Sequence, residues 1–291
     1  MINSPDTIPA SRRITRVTAR ATMPLKLLLR DLWRYRDVMW NFAARDIKVK
    51  YSQTLFGLSW VVLTPIINVG VITFIFGYMV KIQPNNLPYL VFYLMGFIPW
   101  TFGIAVLNPC MSIIENNSGL FGKIYFPRLS MAGVYILVAL ADFLVGFLLI
   151  QLALVFYGKW HYLVLVMTPV LLLLIVMLVA GLGLFLAPLN TRYRDIKHGI
   201  PLAIQLGYYA TPILYPVETV SKLPSQTLAR ALELWFKINP MSVIVESFRR
   251  SALGQWPDIP SFLGCTILCL CTFCGGVYFF LRREQTLLDE A

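Results

Sequence analysis

Charge is scarce in this chain. Of 291 residues, 13% are Asp, Glu, Lys or Arg and 58% are apolar, a balance that excludes an ordinary soluble domain. There are two histidines, His161 and His198, far apart in sequence. No two carboxylates pair at helical spacing on one face, and no Ser–His–acid constellation can be assembled, so the acid–base chemistry of a membrane glycosyltransferase or polymerase has no carrier here. A phosphate loop is missing too. The nearest segment, GLFGK at 119–123, lacks both the spacing and the terminal hydroxyl residue. Without internal repeats, the chain also lacks the inverted-repeat signature of many secondary transporters. Its cysteines, Cys110, Cys265, Cys269, Cys271 and Cys274, lie in apolar runs with no histidine beside them. They read as packing residues, not as a disulfide frame or a metal site. The first fifty residues carry many charges and no early apolar core, unlike a cleavable signal peptide.

What the chain does have is long apolar runs. Lipid cannot hydrogen-bond the backbone, so a crossing segment must be a helix or part of a closed barrel, and uninterrupted runs select helices. No charge falls between Lys50 and Lys81, Lys81 and Glu115, Lys159 and Arg192, Lys197 and Glu218, or Asp258 and Arg282, and the gap from Arg128 to Lys159 holds only Asp142. A crossing helix needs roughly 20 apolar residues. The gaps predict an all-α polytopic membrane protein with six spans, near 56–80, 88–112, 130–157, 162–188, 200–217 and 260–281.

Lysine and arginine fix the orientation, because basic loops are retained in the cytoplasm. With the N-terminus inside, eighteen of the 25 basic residues fall on the cytoplasmic side and seven on the other. Six spans then return the C-terminus to the cytoplasm. The net charge of +11 lies beside membrane segments, where membrane lipid and orientation explain it better than nucleic acid does.

Four stretches outside the spans have a pattern of their own. Residues 1–22 are too poor in apolar groups to fold and predict a disordered cytoplasmic tail. Within 23–55, Leu25, Leu28, Leu29, Leu32 and Trp33 recur at helical spacing opposite Lys26, Arg30, Asp31 and Arg34. Pro24 suits the first turn, and the result is a basic amphipathic helix for the membrane surface, continued by Val38–Tyr51. It is either a lipid anchor or a docking face. The loop ENNSGLFGKIYFPR at 115–128 interleaves aromatic and basic residues, which suits docking or anchoring equally. Residues 225–254 hold two short amphipathic helices separated before Pro240. They predict a re-entrant hairpin, or a hairpin lying on the surface.

Two kinds of residue inside the spans stand out. Asp142 is the lone ionisable group within a confident span. It is either a relay carboxylate or a hydrogen-bonded packing group. Aromatic residues exceed an interfacial belt, and Phe74, Phe92, Tyr208 and Tyr209 lie away from the span ends. Such rings stack on sugar C–H surfaces and offer hydroxyl partners, or they simply pack.

Five segments, RDIKVKYSQTLFGLSWVVLTPIINVGVITFIFG at 45–77, KIYFPR at 123–128, LNTRYRDI at 189–196, YATPILYP at 209–216 and NPMSVIVESFRR at 239–250, together resemble the permease subunits of type-2 ABC polysaccharide exporters, which move O-antigen, capsule or teichoic acid chains on lipid carriers. The resemblance runs from about residue 25 to 281. It implies a permease homodimer in the inner membrane, two copies of a separate ABC ATPase that bind ATP and Mg, no cofactor on this chain, and a lipid-linked polysaccharide passing between the permeases. By the same resemblance, the helix at 25–36, with Leu29 and Trp33, is the interface helix. The loop 115–128, with Glu115, Phe121, Lys123, Tyr125 and Arg128, is the element that meets the ATPase, and 225–254 are gate helices. Arg45, Lys48, Lys50, Arg192 and Arg194, near the cytoplasmic face, then suit a carrier diphosphate, although positive-inside orientation also accounts for them. A drug or lipid permease of the same architecture and an ion-coupled carrier built around Asp142 are the alternatives.

Overall fold

The computed structural model describes residues 33–52, 57, 59–82, 84, 86–117, 119, 128–222 and 224–283. Among them are ten α-helices: α1 (Arg36–Ser52), α2 (Ser59–Ile72), α3 (Tyr89–Met111), α4 (Ile113–Asn116), α5 (Arg128–Phe156), α6 (Leu163–Arg192), α7 (Arg194–Ala210), α8 (Gln226–Ile238), α9 (Pro240–Ala252) and α10 (Ile259–Arg283). A π-helical stretch, Thr73–Met79, prolongs α2, and a 3₁₀ turn, Val217–Lys222, precedes α8. The chain is a polytopic membrane protein. Five helices are long and apolar enough to cross a bilayer: α2 with its π extension, α3, α5, α6 and α10. Prolines occur inside three of these, at Pro65, Pro99, Pro109, Pro169 and Pro188, as packed membrane helices tolerate.

The stretch expected as a span at 200–217 differs. Its helix, α7, has 17 residues, starts earlier at Arg194 and stops at Ala210. Pro212 disfavours helical backbone at Thr211, and Asp195, Lys197, His198 and Gln205 dilute the apolar character of one face. Composition alone therefore does not place α7 with the five long helices.

Small residues let the long helices approach. A β-carbon on Gly276 of α10 would collide with the Gly181 carbonyl oxygen of α6, and one on Gly183 would lie 2.6 Å from the Cys110 Cβ of α3. Between α3 and α5, Gly146 admits Ile98, and the Phe102 and Phe143 rings meet edge to face at 5.3 Å. Close backbone approach of this kind replaces the hydrophobic drive that lipid removes. In contrast, α2 and its π extension bury little, leaving Ile66, Ile67, Val71, Phe74 and Tyr78 exposed.

Helix α1 stands against α5 with parallel register. Met39 occupies the space beside Gly133, Ala43 is buried, and Lys50 and Tyr51 each bond one oxygen of the Asp142 carboxylate. Trp33 and Trp40 remain exposed on α1 and the turn before it.

The α8–α9 hairpin is defined by its caps. The Ser225 hydroxyl accepts the Leu228 amide at 3.4 Å, and the Asn239 side chain accepts the Met241 amide at 3.1 Å with Pro240 in the first helical turn. The Asn239 amide also donates to the Thr211 hydroxyl at 3.2 Å, tying the hairpin tip to the break after α7.

Candidate functional site

The aromatic residues singled out as a lining separate into two environments. Phe92 is 3% exposed and lies beneath a guanidinium, so its ring belongs to the interior of the chain. Tyr208 is half-buried. Its hydroxyl shares a 2.7 Å hydrogen bond with Tyr93, and its ring meets Trp100 at 5.8 Å. Tyr93 in turn continues a column of rings along α3, with Tyr89 at 6.5 Å and Phe97 at 5.4 Å. Phe74 and Tyr209 are different. They are 58% and 54% exposed, Phe74 is stacked on Tyr78, and Tyr209 shares the outward face of α7 with Leu202 and Leu206. These two rings are therefore offered to whatever surrounds the chain.

The five cations are also divided. Arg45 is bound to Asp46 at 2.8 Å and Lys50 to Asp142, so part of their charge is already neutralised. Lys48 and Arg192 are exposed, and the Arg192 guanidinium lies 5.5 Å from the Tyr193 ring. Arg194 begins α7. Asp142, the lone mid-span carboxylate, is thus a bound group joining α1 to α5, beside a cavity of about 290 Å³ walled by Trp60, Phe97, Thr101 and Phe143.

Of the residues expected to meet an ATPase, Leu29, Phe121, Lys123 and Tyr125 lie outside the described residues. Trp33 is exposed, with Arg36 4.7 Å from its ring. Glu115 accepts from Asn190 at 3.2 Å and Lys197 at 3.3 Å, which fastens the end of α3–α4 to the α6–α7 junction. Arg128 is buried at the first residue of α5.

Sequence reasoning missed one heavily bonded side chain. Arg249 on α9 is 3% exposed and donates to the carbonyls of Phe92, Pro212 and Ile213 at 3.3, 2.6 and 3.0 Å. Burial pulls its pKa down to about 10 against the opposing effect of Glu246, leaving it charged at neutral pH. The two free carbonyls it takes up exist because Pro212 ends α7 there; a buried carbonyl without a donor is costly. The signal available in sequence was an arginine on the apolar side of an amphipathic helix near a Thr-Pro break. Burial also pushes the neighbouring Glu246 carboxyl up, partly offset by Arg249.

Among the described residues no His, Cys, Asp and Glu cluster could hold a metal. What the arrangement offers is mechanical and polar: a basic edge near Lys48 and Arg192, exposed rings on two loosely packed helices, and a hairpin pinned by Arg249.

No model of a known protein family matches the chain. Individual relatives do. It is 26% identical over 222 residues, 76% of this chain and 82% of the relative, to the O-antigen export system permease protein RfbA of Myxococcus xanthus. It is 27% identical to a Klebsiella pneumoniae protein of the same description, covering 73% of this chain and 79% of the other. To the polysialic acid transport protein KpsM of Escherichia coli it is 24% identical, covering 84% and 93%. These relatives are transport permeases, not enzymes. Over most of its length, then, the polytopic helical chain is similar to permease and transport proteins of O-antigen and polysialic acid export.

Proposed function

We propose that the chain is the membrane half of an exporter that carries a lipid-linked, O-antigen-like polysaccharide across the cytoplasmic (inner) membrane, working as a homodimer with two copies of a separate ABC ATPase. The observation that carries this reading is the match over most of the chain to O-antigen export permeases. ATP and Mg reside on the partner, and this chain supplies the path and the coupling. Residues 1–22 form a cytoplasmic tail, 23–55 the interface region and 56–291 the transmembrane domain with gate helices 225–254.

Six crossings remain the reading. Tyr89 begins α3 and Leu163 begins α6, and both follow extracytoplasmic turns in the six-span topology. Tyr208, near the end of α7, bonds Tyr93, and Tyr89 donates to the Leu214 carbonyl at 2.8 Å. Residues 194–216 therefore run from the inner edge at Arg192 to the outer end of α3, with a helix of about 25 Å at 1.5 Å per residue followed by an irregular segment covered by protein.

Re-entrance of the α8–α9 hairpin is supported in the same way. A β-carbon on Gly103, about 21 Å along α3 from Tyr89, would meet Val179 and the Met241 side chain. The other end of α9 returns to Gly254, beside His161 at the outer start of α6. The helix thus dips from the outer boundary towards mid-membrane.

In the mechanism, closure of the partner ATPases pushes on the segments 115–128 and 25–36, which lie largely outside the described residues. Glu115 passes that displacement to Asn190 and Lys197, and the Asp142 bonds pass motion of α1 to α5. The sparsely packed α2 and α7 line the space between two copies, where Phe74 and Tyr209 face the glycan. Lys48 and Arg192, with Arg45 and Arg194, attract the carrier diphosphate at the cytoplasmic edge. Affinity purification of the tagged permease in mild detergent tests the assembly: two permeases with two ATPases are expected, and a permease that never retains an ATPase contradicts the reading. A drug or lipid permease of the same architecture is the second reading, and substitution of Tyr209 separates the two.

A further inference from the structure

Helix α2 is the least buried of the five long helices. Within Ser59–Ile72, Pro65 and Val69 alone are buried. Behind them, between α2, α3, α5 and the end of α1, lies the cavity of about 290 Å³ beside Asp142. Its walls are mostly hydrocarbon and aromatic: Val61 and Pro65 from α2, Phe97, Phe102 and Ala105 from α3, and Phe143 from α5. Two further α2 residues on its wall, Trp60 and Thr64, are exposed and form a rim open to the surroundings.

The cavity sits at the level of lipid chains. Helix α5 ends in the exposed aromatic residues Phe156 and Tyr157, of the kind that marks a membrane boundary. Along α5, Gly146 lies about 15 Å and Asp142 about 21 Å from Phe156, inside a hydrocarbon core of roughly 30 Å. Water is a poor filler there. Thr101 donates its hydroxyl to the Ile98 carbonyl at 3.0 Å, and the two oxygens of Asp142 are taken by Lys50 and Tyr51. Little is left of the several polar partners that a buried water needs. An empty apolar void is destabilising in proportion to its volume, and what a bilayer supplies at this depth is hydrocarbon chain.

The polar end narrows the kind of lipid. Lys50, with 46% of its side chain exposed, lies about 9 Å from the opposite boundary of that core, a distance its long stem narrows by snorkelling. Its ammonium has three donors and gives one to Asp142, so a phosphate at that boundary meets a cation. The location also separates this lipid from any cargo. Val61 and Pro65 face the cavity, whereas Ile66, Ile67, Val71 and Phe74 are exposed, so a chain lodged behind α2 stays off the surface that Phe74 offers. We propose that the cavity is a resident site for one acyl chain of a membrane phospholipid, which fills the gap between α2 and the α3–α5 pair. The site holds whatever cargo the chain exports.

The test is photolabelling of the purified full-length protein in vesicles of phosphatidylethanolamine and phosphatidylglycerol, doped with a phosphatidylethanolamine that carries a diazirine midway along one acyl chain. Phe102 and Phe143, each 3% exposed, are expected to take up label because they wall the cavity, and the exposed Leu148 of α5 labels as a reference for surrounding lipid. Val61→Phe and Ala105→Phe fill the cavity from two walls, and each is expected to lose the Phe143 label while keeping that of Leu148. Gly264→Phe, where a β-carbon meets nothing within 4 Å, is expected to keep both. Native mass spectrometry of protein extracted from its own membrane is expected to find a retained phospholipid. The proposal is overturned by unlabelled Phe102 and Phe143, as a second copy seated over the rim would give, or by Phe143 label undiminished in both filling variants. Loss of that label in Gly264→Phe, or a polyprenyl phosphate as the retained molecule, overturns it equally. None of these readouts uses transport, so failure of the export reading leaves them unchanged.

Discussion

The guanidinium carbon of Arg249 lies 3.5 Å from the centre of the Phe92 ring. The contact joins the outer hairpin to α3, and the same side chain closes the carbonyls left open where α7 stops. Cation–π attraction is strong in a desolvated site, but the three carbonyl bonds contribute more, because losing them strands buried acceptors.

Arg249→Ala is therefore expected to destabilise the outer half by about 3 kcal/mol, read as faster hydrogen exchange across 226–252 in detergent. Arg249→Lys keeps the charge but not the fork that reaches several carbonyls, so it should recover only part of that protection. Exchange unchanged in both variants contradicts the role of a pin.

Asp142 and Lys50 are partly exposed, at 28% and 46% of their side chains, so their pairing is discounted for solvent. Lys50→Gln and Asp142→Asn are each expected to lower stability by about 1 kcal/mol, and the double variant should lose less than the sum of the two. In inverted vesicles supplied with ATP, export by the unmodified protein should persist when a protonophore is added. Loss of ATP-driven export on adding protonophore would revive the ion-coupled alternative.

Adjacent glycines of α10 provide a matched pair. A β-carbon on Gly276 collides with the Gly181 backbone, while one on Gly275 meets nothing within 4 Å. Gly276→Ala should cost about 1–3 kcal/mol by overpacking, and Gly275→Ala should change stability by no more than about 0.5 kcal/mol. Thermal unfolding of the two purified variants distinguishes them.

Tyr209 is exposed on the outward face of α7, with its carbonyl held by the Tyr215 hydroxyl at 2.9 Å. Because Tyr209→Leu leaves that carbonyl bond intact, it should fold normally and reduce glycan export several-fold, measured as surface glycan at equal permease abundance. Tyr208→Phe removes the bond to Tyr93 and should cost about 1 kcal/mol of stability. Full glycan export by Tyr209→Leu would favour a path in which apolarity alone matters.

The long helices were legible from sequence because charge-free gaps such as Lys81–Glu115 and Lys159–Arg192 mark spans directly. The α8–α9 pair was legible from its periodicity and from Asn239–Pro240, which cap and start α9. The early stop of α7 was less so: an apolar count runs through Thr211 and Pro212, whereas the backbone cannot. Pairings between distant segments left no local signal. Lys50 read as a cation for a diphosphate or for orientation, and Asp142 as a relay or a hydrogen-bonded packing group, with nothing to pair them across 92 positions. Phe92 read as a wall residue because ring content says nothing about which face Arg249 covers.

The decisive experiment on export is deletion of the gene, alone and together with the gene of the partner ATPase. Finished lipid-linked polysaccharide is expected to disappear from the cell surface and to accumulate inside in both strains. A normal surface glycan in the absence of this chain would contradict its role as a polysaccharide exporter.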